Sequence, residues 1–298
     1  MNKFHVPVLL KESVEALGVK KNKKYIDATL GGGGHAGEII KRGGIVLGID
    51  QDKEALEYVK KNFKFQISNF KLILANGNFE DIDNIAKENG FEKVSGILFD
   101  LGVSSHQIDD RKRGFSFLKE GPLDMRMNKN SPITAEYLVN LLGKGELYAI
   151  FKNYGQEARA NAISRAVTGA RKIKAIKTTG ELVEVIQRAY GIKGELSDFI
   201  KNNISQKVFQ ALRIAVNDEL RVTEEALPKA LELLEKRGRI AVISFHSLED
   251  KIVKEMFINF QKQNMGKIIT KKPVIAKEEE IQKNARSKSA KLRVFEKN

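Results

Sequence analysis

The chain has no cysteine among its 298 residues. That excludes disulfides, thiolate nucleophiles and cysteine-held zinc, and it fits a reducing compartment, so the cytoplasm is the expected location. The four histidines show no metal-ligand spacing, and no catalytic metal is expected. No apolar run approaches the roughly 20 residues that a membrane helix needs. Met1 to Glu12 lacks the apolar stretch and small-residue cleavage site of a secretory leader. Membrane association and export are therefore not expected. Strand signals are also missing over one long span, from about Ser104 to Val208.

What is present in excess is positive charge. Lys and Arg number 52 against 38 Asp and Glu, a net charge of +14. Such a surplus raises the local potential for polyanions, although a solvated lysine-rich surface produces the same count.

The first hundred residues alternate between strand and helix patterns. Strands are expected at Lys24–Thr29, Ile45–Asp50, Phe70–Ala75 and Ser95–Asp100, with helices at Lys53–Asn62 and Glu80–Asn89. This rhythm implies a parallel sheet with right-handed crossovers. A helical stretch follows, with segments at Gln156–Ala170, from Thr178 (a capping box to Glu181) to Tyr190, and at Gln206–Leu220. The α/β rhythm returns with a helix at Pro228–Lys236, Gly238 as its cap and a strand from Arg239 to Phe245. Two further strands are expected at Lys267–Lys271 and Ala290–Glu296, joined by a lysine-rich link, Lys277–Lys288, that reads as a mobile loop. The economical reading is one discontinuous domain, residues 1–103 and 209–298, interrupted by a helical insert at 104–208.

The run Asp27-Ala28-Thr29-Leu30-Gly31-Gly32-Gly33-Gly34-His35 follows the first strand and opens a helix. Glycines let the backbone approach a ligand with no Cβ in the way, and the helix start offers free N–H donors. Gly32-x-Gly34-x-x-Gly37 also satisfies the dinucleotide fingerprint. A simple flexible turn would need no ligand at all. The companions favour a nucleoside with a cationic head. Asp50 ends the second strand, where a carboxylate can accept both ribose hydroxyls. Phe79, within Gly77-Asn78-Phe79-Glu80-Asp81, follows the third strand, and Asp100 ends the fourth. A pyrophosphate would be repelled by so many acids, whereas a sulfonium and an amino group would be attracted. Each acid taken singly could be only a helix cap.

Longer segments carry a resemblance: Asp27 to His35, His5-Val6-Pro7-Val8-Leu9-Leu10 and Phe99-Asp100-Leu101-Gly102-Val103-Ser104-Ser105. It continues through Arg113-Gly114-Phe115-Ser116-Phe117, Gly121-Pro122-Leu123-Asp124-Met125-Arg126-Met127 and Phe209-Gln210-Ala211-Leu212-Arg213. It ends with Val216-Asn217-Asp218-Glu219-Leu220 and Ser244-Phe245-His246-Ser247-Leu248-Glu249-Asp250. Nearly end to end, the chain resembles the bacterial 16S ribosomal RNA cytosine-N4 methyltransferases, the RsmH or MraW family. The resemblance implies a class I (Rossmann-like) methyltransferase fold with a helical insert, using S-adenosylmethionine on a cytosine near the decoding centre. It further implies that Gly33, Gly34, His35, Asp50, Phe79, Asp100 and Gln107 hold the cofactor. One departure lies at Asn284-Ala285-Arg286-Ser287-Lys288-Ser289, where the family usually has Asn-Pro-Arg and a later Arg. Losing the proline should loosen that loop, and Lys in place of Arg exchanges a bidentate fork for a point charge.

The amine on cytosine C4 is a weak nucleophile, so it must be aligned with the methyl donor and met by hydrogen-bond acceptors. Many amino-methyltransferases use an Asp/Asn/Ser-Pro-Pro-aromatic loop after the fourth strand. Here that place holds Asp100, Ser104 and Ser105, the expected acceptors, with Asp124 and His246 as alternatives. Ser247 to Asp250 also fits a helix cap, which would make His246 only its neighbour. For RNA, Arg111, Lys112, Arg113, Phe115 and Phe117 mix cations with aromatics in one segment, and Arg126 joins them; Phe115 and Phe117 could equally anchor the loop from inside. The expected partner is small-subunit ribosomal RNA or the 30S particle, and a homodimer stays open. Two other readings remain: an NAD(P)-dependent oxidoreductase, and a non-catalytic ribosome-assembly factor that binds RNA.

Overall fold

The computed structural model describes residues 7–298; His5 and Val6 of the resemblance lie outside this range. The chain divides into two compact units, one made of the residues up to Ser104 together with Leu220–Asn298, the other of Ser105–Glu219.

The first unit is built on an eight-stranded sheet: β1 Lys24–Asp27, β2 Ile45–Asp50, β3 Leu72–Asn76, β4 Val94–Asp100, β5 Leu234–Ser244, β6 Gly266–Ile268, β7 Val274–Ile275 and β8 Lys291–Lys297. Their order is β3-β2-β1-β4-β5-β8-β6, with β7 also on β8. The first five strands run parallel, and β8 runs antiparallel to β5, β6 and β7. The order reverses between β1 and β4, which opens a crevice at their carboxyl ends.

Helices of this unit are α1 Leu10–Leu17, α2 Gly34–Lys41, α3 Lys53–Asn62, α4 Lys64–Ser68 and α5 Ile82–Glu88. Later in the chain come α12 Glu219–Leu233, α13 Ser247–Lys262 and α14 Glu278–Lys283. Side chains alternate along each strand, and both faces of a parallel sheet are covered. Ile26, Leu47, Ile97 and Val242 pack with Ile82, Leu227 and Phe257 on one face. Tyr25, Val46, Leu98 and Ile243 pack with Val14, Ile39 and Val59 on the other.

The second unit contains α6 Ser105–Asp109, α7 Ala135–Leu141, α8 Lys144–Asn153, α9 Ala160–Ala170, α10 Thr179–Tyr190 and α11 Asp198–Asn217. Its described residues hold no strand, only one isolated bridge, Pro122 to Thr178. The expected Thr178 to Glu181 capping box is formed. The domain boundary expected at Val208 falls inside the continuous helix α11, and the unit ends at Glu219 instead.

Three local expectations need correction. Pro228 lies inside α12 rather than at a helix start. That helix buries Ala226, Leu227, Ala230 and Leu231 completely or nearly so, and this packing outweighs the missing backbone donor. Gly238 is not a helix cap, because β5 already begins at Leu234. The link Lys277–Lys288 is no loop: it forms α14 and a 3₁₀ turn, Ala285–Ser289, capped by the Asn284 carboxamide, which accepts from the Arg286 N–H at 3.3 Å. Ser287 is buried there and its hydroxyl donates to the Asn284 carbonyl at 2.8 Å, so the segment is ordered without the proline.

Candidate functional site

β1, β2 and β4 each end in an aspartate, Asp27, Asp50 and Asp100. The glycine loop turns between β1 and α2 with Gly31 at φ 49° and Gly33 at φ 75°, a region where a side chain is strained. A Cβ on Gly33 would also press on Phe63 and Val59, and one on Gly34 would strike Pro7. Above Gly31 the space is open, with only the Thr29 carbonyl, 3.9 Å away, within van der Waals range. Asp50 fixes this loop from the side: its carboxylate accepts from the Gly31 N–H at 2.7 Å and the Asp52 N–H at 2.8 Å.

Asp27 is 1% exposed, and its Oδ2 has no hydrogen-bond partner. Burial, with Asp100 and then Asp50 nearby, raises its pKa to about 7. Such a group gains from a cation brought into the crevice. Asp100 is held by its main-chain N–H, which donates to the Thr29 hydroxyl at 2.6 Å. Its carboxylate lies 3.7 Å from His35 Nδ1, while His35 Nε2 meets the Val8 carbonyl at 3.2 Å. His35 is thus buried at the start of α2, beside the Asp100 carboxylate. Phe79 sits in a 3₁₀ turn after β3, its ring edge-to-face with Phe99 at 5.5 Å. Gly102 follows β4 with φ 94° and turns the chain toward Ser104, which is half-buried.

His246 is itself the N-cap of α13, one residue earlier than the expected Ser247 cap. Its Nδ1 accepts from the Glu249 N–H at 3.4 Å, and the Glu249 carboxylate accepts from the Phe245 N–H at 2.7 Å. Asp250 is engaged by Arg293, at 2.6 Å, and Lys291, at 3.1 Å.

In the second unit Ser105 opens α6, and Gln107 is buried on it. The loop beyond divides into outward and inward residues. Arg111 and Lys112 are exposed. Arg113 is 2% exposed, and its guanidinium donates to the Arg126 and Met127 carbonyls, each at 3.0 Å. The phosphate-facing role expected for Arg113 does not fit this placement. Phe115 is buried, and Phe117 stacks edge-to-face on Phe209 at 5.4 Å. Asp124 and Arg126 form a two-pronged pair, both bonds 2.8 Å. Burial pushes the Asp124 carboxyl up, but Arg126 outweighs it and the net shift is downward. Arg126 also donates to the Lys129 and Ser131 carbonyls, so this pair holds a turn together.

Sequence reasoning assigns no role to Asn217. Its side chain accepts from the Met127 N–H and donates to the Met125 carbonyl, both at 2.8 Å, pinning the loop to α11. Its place in the Val216–Leu220 motif is the available signal. Asp27 reads in the sequence only as a strand end, and its burial is a tertiary property.

A parallel sheet with an acid-lined crevice at its reversal point and a glycine loop over it defines an enzyme of the nucleoside-cofactor class. The acids fit a cofactor with a positive charge better than one with a pyrophosphate. Residues 2–298 match the model of the MraW methylase family, and the chain belongs to that family. It is 46% identical to "Ribosomal RNA small subunit methyltransferase H" of Halothermothrix orenii, over 98% of each chain. Relatives of the same name from Clostridium botulinum and Finegoldia magna are 42% and 43% identical, again over 98% of each chain. The protein is a methyltransferase.

Proposed function

We propose that this protein transfers the methyl group of S-adenosylmethionine to the N4 amine of a cytosine in small-subunit ribosomal RNA, near the decoding centre. The observation that carries the reading is the set Asp27, Asp50 and Asp100 around the open space at Gly31. The relatives' name, from matches over 98% of the chain, supports small-subunit ribosomal RNA as the substrate. No described helix is long and apolar enough to cross a membrane, and a ribosomal substrate supports a cytoplasmic location.

S-adenosylmethionine supplies an electrophilic methyl group on a sulfonium. Gly33, Gly34 and His35 form the cradle, Asp50 accepts the ribose hydroxyls and Phe79 lies against the base. Asp100, Ser104 and Ser105 offer acceptors to the target amine. Those acceptors favour the positive charge that develops on nitrogen and take up its proton. Arg111 and Lys112 supply the cationic RNA surface of the second unit, with Phe115 and Phe117 supporting it from within.

The test is transfer of labelled methyl to small-subunit particles by the wild type and by Asp100→Ala. Activity in the wild type that falls at least a hundredfold in the variant, with particle binding retained, is expected. Equal activity in the two proteins would remove Asp100 from the chemistry.

A further inference from the structure

The opposite edge of the sheet carries a second concavity. It encloses about 810 Å³ between the turn after α1 and the amino ends of β4 and β5. Its cations are Lys20, Lys23, Lys236, Arg237, Arg239 and Lys267, set against two carboxylates, Glu235 and Glu296. A bulge creates this shape. Between the pairs Val94 with Leu234 and Gly96 with Arg239, β4 advances two residues while β5 advances five. The surplus segment, Glu235 to Gly238, leaves the ladder, and Arg237 takes a left-handed φ of 63°. Bulges of this kind re-aim side chains, and here Lys236 and Arg237 are turned into solvent.

Both acids are already committed. Glu235 accepts from the Ser95 hydroxyl at 2.5 Å and from Lys23 at 3.1 Å. The Ser95 bond, more than the lysine, holds its carboxyl below the ordinary range. Glu296 pairs with Arg239 at 2.8 Å and Lys267 at 3.0 Å. Among the described residues, Lys20, Lys236 and Arg237 make no ion pair. Three cations therefore face one concavity whose acids are bonded to other groups. Among the described residues that line it, Leu17 is the one apolar side chain, and none is aromatic. A nucleobase would find no stacking platform here, whereas a phosphate would find several donors.

We propose that this basic pocket binds phosphate groups of the ribosomal RNA backbone, away from the nucleotide being methylated. The inference rests on the RNA substrate assigned above. The seven residues of β4, at roughly 3.3 Å each, put about 20 Å between the two sheet edges. The phosphate held here belongs to a different stretch of RNA from the target cytosine. Backbone contacts of this type set orientation and register without reading sequence.

The test uses the full chain with Lys236→Glu and Arg237→Glu together. Neither native side chain has a hydrogen bond or an ion pair among the described residues, so an unchanged melting temperature and unchanged S-adenosylmethionine affinity are expected. Binding to purified small-subunit particles is measured across a salt series. Losing two phosphate contacts should flatten the slope of log K against log salt by about 1.5. Between 1 M and 0.15 M salt that corresponds to roughly a 17-fold loss of affinity. An unchanged slope and affinity would overturn the proposal. Inorganic phosphate provides a second arm. If it raises the melting temperature of the wild type but not of the variant, while both bind particles equally, the pocket holds a small anion and the RNA assignment fails. Binding is read without methyl transfer, so a wild type that binds particles but methylates nothing would sink the proposed reaction and not this surface.

Discussion

Replacing Asp27 by Asn should stabilise the ligand-free protein at alkaline pH while weakening its cofactor site. Asp27 is almost fully buried, with one oxygen accepting from the Thr29 N–H at 3.4 Å and the other unpartnered. Burial, joined by the neighbouring Asp100 and Asp50, raises its pKa from 3.8 to about 7. A raised folded-state pKa means that the contribution to stability is fully present below about pH 4 and is lost as pH rises through 7. A rise of that size corresponds to about 4 kcal/mol by linkage, an upper figure for one buried group. Asn has the same shape, retains an acceptor for Thr29 and carries no charge to desolvate. At pH 8 the variant should therefore be more stable by a few kcal/mol, several degrees in melting temperature for a chain of this size. At pH 4, close to the unfolded-state pKa, the two proteins should melt within about two degrees of each other, and the gap should widen steadily up to pH 7. The assay is thermal unfolding of both apo-proteins from pH 4 to 8.5. A melting temperature that falls with pH equally steeply in the two would refute the assignment of that dependence to Asp27. Cofactor affinity, measured alongside, should drop in the variant because a neutral amide no longer attracts a cation.

Asp50→Ala should weaken S-adenosylmethionine binding at least tenfold by calorimetry, since hydrogen bonds to a charged acceptor contribute about 1.5–3 kcal/mol each; unchanged affinity would remove Asp50 from the ribose. Arg113→Ala should cost about 3 kcal/mol, seen as a lower melting temperature, because it strands two carbonyls in a buried loop. Arg111→Ala, at an exposed position, should leave melting unchanged and reduce the salt slope of RNA binding by about 0.7. If the two arginines give the same melting temperature, the inward placement of Arg113 does not govern the loop.

The sheet was legible because its signals are local. β2 matches its expected span, Ile45–Asp50, residue for residue, since a β-branched run ending in an acid resembles little else. The crevice acids were legible for the same reason. What escaped depends on tertiary context. Arg113 and Arg111 are the same residue type two positions apart, and only the folded loop, which offers the Arg126 and Met127 carbonyls to Arg113, distinguishes the inward one. Pro228 signals a helix start by local rules, yet four buried neighbours carry α12 through it. The bulge at Glu235–Gly238 follows from strand register, which a single sequence does not display. Lys277–Lys288 resembles a loop by composition, and its order comes from an asparagine cap and one buried serine.

The identity of the methylated atom is open to direct measurement. Small-subunit particles from cells lacking this protein would be incubated with the purified enzyme and S-adenosylmethionine carrying a labelled methyl. The ribosomal RNA would then be digested and mapped by mass spectrometry. A single labelled nucleoside is expected, a cytidine methylated on its exocyclic N4, at one position near the decoding centre. Label on a ring carbon, on a ribose hydroxyl or on another base would contradict it, as would the absence of any label on particles that the enzyme binds.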